Sequence, residues 1–99
     1  MSLLHIALQE GFNDDTVVVR VNGSEVFHKA GVKTRLQTGY ADAVEVNTDT
    51  NSIEVEIRLP MKNLSKTIEV AGTEAVYIGV TIRPGGIDHR ISSTPFGYL

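Results

Sequence analysis

Ile53, Val55, Ile57 and Leu59 alternate with Glu54, Glu56 and Arg58. Successive side chains of a strand point to opposite faces, so Ser52–Leu59 predicts a strand with one face in a core and the other in water. Ala75–Ile82 repeats the pattern through Val76, Ile78, Val80 and Ile82. Thr16–Val21 does so through Val17, Val19 and Val21, and Leu3–Gln9 through Leu4, Ile6 and Leu8. Weaker alternation marks Ser24–Lys29, Ala41–Val46, Leu64–Val70 and Ile87–Ser92. No ten-residue stretch sets apolar residues at helical spacing behind a cap.

The residues between these runs favour turns. Asn22-Gly23 joins two of them, and both residues tolerate the positive φ of a type I′ hairpin. Arg83-Pro84-Gly85-Gly86, Asp49-Thr50-Asn51-Ser52 and Ala71-Gly72-Thr73-Glu74 read as further tight turns. Seven or eight short strands at even spacing predict an all-β, antiparallel two-sheet sandwich of immunoglobulin-like architecture. A small barrel is the alternative. The immunoglobulin Cys…Trp…Cys spacing is absent, because the chain has no Cys and no Trp. At 99 residues the whole chain, 1–99, forms one domain.

In such a sandwich each strand runs from one end to the other, so successive connections alternate between ends. Eight strands would gather Glu10–Asp15, Ala30–Tyr40, Pro60–Asn63 and Arg83–Gly86 at one end. The other end would receive Asn22-Gly23, Asn47–Asn51, Ala71–Glu74 and the C-terminal tail. The first set is longer and chemically richer, and loops on a rigid scaffold are where binding residues concentrate. Phe12, Asp14, Asp15, Lys33, Arg35, Tyr40 and Arg83 are therefore the candidate binding residues. The tail holds two of the six aromatics, and Phe96, Tyr98 and Leu99 either fold back over an open edge or dock on a partner.

Composition narrows the chemistry. Nine Lys plus Arg against twelve Asp plus Glu give a net charge of −3, which is not the clustered positive charge of a nucleic-acid coat. Without cysteine there is no disulfide framework, thiolate metal site or cysteine nucleophile. No apolar run approaches the roughly 18 residues of a membrane helix, and no signal peptide is visible, so the expected compartment is cytoplasmic by default. His5, His28 and His89 are scattered, with no HExxH spacing; His89 sits on the apolar face of its strand and reads as a half-buried or edge histidine. No GxSxG, SxxK or phosphate-cradling glycine motif occurs. Glu54 and Glu56 share one strand face and read as its solvation. No catalytic residue, cofactor or metal site is expected.

Asn13-Asp14-Asp15 offers oxygen ligands for calcium, with Asp42 near the same end. The simpler reading is a loop whose carboxylates accept nearby backbone amides. Lys29, Lys33 and Arg35 form the one local basic cluster, beside Tyr40, but Glu10, Asp14 and Asp15 make the rim mixed.

Two segments, Val19–Phe27 with Gly31–Arg35, and Pro95–Leu99, resemble small stand-alone bacterial β-sandwich proteins. The resemblance implies an immunoglobulin-like or transthyretin-like sandwich and brings no activity or site residue with it. The expected function is a non-enzymatic interaction or binding module that meets a protein partner or another copy of itself through the loop-rich end or an exposed sheet edge. A carbohydrate-binding module, calcium-assisted at Asp14 and Asp15 with Phe12 and Tyr40 stacking on sugar, is the alternative.

Overall fold

The computed structural model describes residues 2–49, 51–71 and 75–96. Eight strands follow one another: β1 (Ser2–Leu8), β2 (Asp15–Val21), β3 (Ser24–Val32), β4 (Asp42–Thr48), β5 (Ser52–Leu59), β6 (Leu64–Ala71), β7 (Ala75–Arg83) and β8 (Gly86–Ser92). Each lies on one of the alternating runs. A 3₁₀ turn, Pro60–Lys62, links β5 to β6 and closes with Asn63 in the left-handed region. The Asn22-Gly23 hairpin has φ of 50° and 82°, the two positive values that a type I′ turn requires. Its Asn22 also accepts from the Glu54 N–H at 2.9 Å, which ties the turn to β5.

The strands form two four-stranded sheets, β4-β1-β7-β8 and β3-β2-β5-β6. The two-sheet sandwich is therefore as the pattern predicts. The order within it differs from the immunoglobulin constant arrangement, which keeps the first two strands in one sheet; here β1 and β2 lie in opposite sheets. β1 pairs antiparallel with β4 but parallel with β7. Parallel β1 and β7 are what alternating traverses demand of two odd-numbered strands, so the assignment of loops to ends holds.

The alternating positions meet between the sheets. Leu4, Ile6 and Leu8 of β1 and Ile78 and Val80 of β7 pack against Val17, Val19, Ile53, Val55, Ile57 and Leu59, all essentially sealed from water. Each such side chain contributes about 1.5–3 kcal/mol by burial. The two open sides are closed by polar contacts. Lys29 of β3 reaches Asp42 of β4 at 2.8 Å on one side. Lys66 of β6 donates to the Ile87 carbonyl of β8 at 3.3 Å on the other. Burial alone would raise the Asp42 carboxyl, but the Lys29 ammonium and the Ala43 N–H more than reverse this and hold it below the ordinary range. β3 runs past the Lys29 limit its pattern suggests, because two register shifts against β2 interrupt the alternation without ending the pairing. Among the described residues no helix is long and apolar enough to cross a membrane.

Candidate functional site

The chain beyond β1 is built as a rigid corner. The Gln9 N–H donates to the Val80 carbonyl and the Ile82 N–H to the Glu10 carbonyl, each at 2.8 Å, so the backbone follows β7 past the end of β1. Gly11 then turns at φ 88°, where an added Cβ would collide with the Ile82 carbonyl oxygen. Thr34, itself buried, clamps the neighbouring loop to this corner. Its hydroxyl donates to the Gln9 carbonyl at 2.6 Å and accepts from the Phe12 N–H at 3.0 Å.

Two expectations at this end need correction. Phe12 is 3% exposed and belongs to the core, so it is not a stacking surface for a ligand. Asp15 is buried too, with one carboxylate oxygen accepting from the Asn13 N–H at 2.9 Å and the other 2.9 Å from the Lys62 ammonium. Both oxygens thus serve the loop, in the manner of the simpler reading, and the ammonium stands where a bound cation would have to sit. Asp14 and Lys33 are exposed at the tip. Arg83 is paired with Asp88 at 3.0 Å.

Arg35 and Tyr40 behave differently. A bridge joins them, with the Arg35 N–H donating to the Tyr40 carbonyl at 3.0 Å. The amides of Thr38 and Gly39 return to the Arg35 carbonyl, and the small closed loop lies against the outer face of the first sheet. Strand register supplies the floor there. His5 of β1 stands directly between Glu45 of β4 and Tyr77 of β7 in one row. His5 Nδ1 is 3.0 Å from a Glu45 carboxylate oxygen, and the His5 and Tyr77 rings lie 5.5 Å apart. The next row is Ala43, Ala7, Gly79 and Arg90, small except at its end. The Gln9 side chain lies over Gly79, where a Cβ would meet its amide oxygen at 2.6 Å.

Phe96 supplies the remaining wall. Parity sends the tail to the far end of the sandwich, but Ser92 turns the chain back through its hydroxyl, which donates to the Thr94 carbonyl at 2.9 Å. Phe96 then lies with its ring 4.5 Å from the Arg90 guanidinium. Tyr98 and Leu99 lie outside the described residues. The resulting cleft has a volume of about 450 Å³ and is lined by His5, Tyr40, Tyr77 and Phe96 as rings, with Arg35, Thr38 and Glu45 as polar groups. A second depression of about 310 Å³, floored by Gln9, Gly79 and Thr81, adjoins it at Thr38 and is bordered by Arg90. Among the described residues neither Arg35 nor Arg90 makes an ion pair, and the buried Thr38 hydroxyl has no hydrogen-bond partner.

So Arg35, Tyr40 and Phe96 come together from the expected set, and His5, Thr38, Glu45, Tyr77 and Arg90 join them unforeseen. Strand alternation does place His5, Glu45 and Tyr77 on outward faces. Nothing local says that positions 5, 45 and 77 share a row.

His89 is half-buried on the inner face of β8, as its place in the pattern suggests. Its Nδ1 has no partner among the described residues. Burial and then the Lys66 ammonium lower its pKa, against a smaller opposite pull from Asp88. The fold thus prefers the neutral ring. As pH falls through about 6.5 the unfolded chain takes up this proton first, so stability present above that value is lost on acidification. Thermal melts between about pH 7.5 and 5.5 should show this decline, and His89→Gln should flatten it. An unchanged slope in the variant would place the titration elsewhere.

Comparison of the chain with known protein families, with characterised proteins and with solved structures gives no match.

Proposed function

We propose that the protein is a non-enzymatic binding module whose site is the cleft between the Arg35–Tyr40 loop, the outer face of the first sheet and Phe96. Its ligand is a small carboxylate that carries an aromatic ring, free or presented by a partner. One observation carries the reading: Arg35 lines a cleft walled by aromatic rings, Arg90 borders the adjoining depression, and among the described residues neither has a carboxylate partner. A guanidinium offers a planar fork of donors that matches a carboxylate, while ring faces take up the planar body. The volume of about 450 Å³ suits a small ligand. The Thr38 hydroxyl, which has no hydrogen-bond partner among the described residues, supplies a further donor or acceptor where the two depressions meet. The carbohydrate reading is weaker than it was in the sequence, because Phe12 is core and Asp15 is engaged.

Calorimetric titration with 4-hydroxyphenylacetate tests this reading, with 4-hydroxyphenylethanol as its uncharged analogue. The acid should bind and the alcohol should bind at least about tenfold more weakly, the equivalent of one charge-assisted hydrogen bond. Arg35→Gln should remove that preference while leaving the melting temperature within a degree or two. Equal binding of acid and alcohol, or full affinity in Arg35→Gln, refutes the assignment.

A further inference from the structure

β8 is an edge strand of the first sheet. Such an edge presents a row of backbone donors and acceptors, and proteins usually interrupt or cover it. The other three edge strands show why they do not pair with themselves. β3 is broken by two register shifts. β4 carries only acidic charges, Asp42 and Glu45. On β6 the charged residues of opposite sign, Lys66 and Glu69, are an odd number of positions apart and face opposite ways, so a second β6 could not set them opposite each other. β8 has neither a register shift nor a charge pattern that forbids self-pairing, and Lys66 of β6 takes only one lone pair of its Ile87 carbonyl. It pairs with β7 without a shift along all seven residues, and Ile91 is 50% exposed.

The backbone of Ile87 and His89 faces the open side. The Ile87 carbonyl accepts from Lys66 Nζ, and the His89 N–H donates to its neighbour Asp88 rather than across to β7. Alternation places Ile91 in the same set. These are the positions whose N–H and C=O groups would be exchanged with an added antiparallel strand.

We propose that β8 pairs antiparallel with β8 of a second copy, in the register that sets His89 opposite His89 of that copy. This register overlaps Gly86–Ser92 completely, since His89 is the middle residue of the strand. It sets Ile87 opposite the second copy's Ile91, and Asp88 opposite its Arg90, each twice by symmetry. Moving the two-fold axis by one residue in either direction, which slips the pairing by two, places Asp88 against Asp88 or Arg90 against Arg90, and like charges directly opposite destabilise a ladder. Asp88 would give up its bond to the His89 N–H, which then donates to the facing His89 carbonyl, and would meet the partner guanidinium instead. Among the described residues no carboxylate pairs with Arg90, whose guanidinium lies 4.5 Å from the Phe96 ring. The product is one eight-stranded sheet with both clefts on the same outer face, each bordered by an Arg90 beside the two-fold axis. The pairing engages Arg90, which also borders the second depression, so the charge swap is read without added ligand.

Sedimentation equilibrium of the full chain over a wide concentration range tests the register through a charge swap. The unmodified chain should form a dimer. Asp88→Arg or Arg90→Asp alone should weaken it about tenfold or more, since each reversal creates two repulsive contacts. Asp88→Arg with Arg90→Asp should recover most of the loss, although it does not restore the Asp88–Arg83 pair. A second measurement keeps the proposal open to failure if a variant folds poorly. In a sample mixed from isotope-labelled and unlabelled unmodified chains, methyl contacts between Ile87 and Ile91 of different copies should appear. A monomer at all concentrations, a double variant as weak as the singles, or a dimer without those contacts overturns the proposal.

Discussion

Replacing Phe12 by alanine should destabilise the fold by about 3–5 kcal/mol, the usual consequence of deleting a large buried ring. The ring is 3% exposed and packs in the cluster with Val32 and the ends of the central strands. Chemical denaturation of the purified variant measures the effect. Phe12→Leu, which keeps most of the apolar volume, should lose far less. The pair of variants also separates two accounts of this residue. If Phe12 met a ligand, the leucine variant would fold well and bind poorly. As a core residue it should leave binding of the aromatic acid unchanged.

Thr34→Val should produce the second large loss, about 2–4 kcal/mol, although it alters shape very little. The hydroxyl bridges the Gln9 carbonyl and the Phe12 N–H in a buried setting. Valine leaves both without that partner, and each unmade buried bond costs roughly 1–3 kcal/mol. Thr34→Ser, which keeps the hydroxyl, should recover most of the stability. A valine variant as stable as the parent would show that the clamp between the two loops is dispensable. Because the clamp sets where the Arg35–Tyr40 loop rests on the sheet, the valine variant should also bind the acid less tightly than Thr34→Ser does.

Most of the fold was legible because its core is written locally. Val55 and Ile57 reveal their strand through their immediate neighbours, and Asn22-Gly23 reveals its turn through two φ values. Strand order was not legible. The pairing of β1 with β7 joins residues such as His5 and Tyr77, which lie far apart in the chain. That pairing makes the row Glu45-His5-Tyr77, and so the floor of the candidate site. Loop chemistry misled where a residue type was taken as a sign of exposure. Asp15 and Phe12 both occur in a polar stretch, and both turn inward, one onto Lys62 and one into the core. Arg35 and Tyr40 entered the candidate set because the loop that carries them is long and polar, and the structure places both at one wall of the cleft. Phe96 was singled out because an aromatic close to a chain terminus calls for an edge or end of the sandwich to cover, and it lies instead at the wall of the cleft beside Arg90.

The proposed binding takes place on the outer face of the first sheet and not at the loop tip. A residue-resolved NMR shift map during titration with 4-hydroxyphenylacetate tests it most directly. Shifts should concentrate at His5, Arg35–Tyr40, Tyr77, Arg90 and Phe96. Shifts gathered instead at Asp14 and Lys33, with the sheet face unmoved, would contradict it.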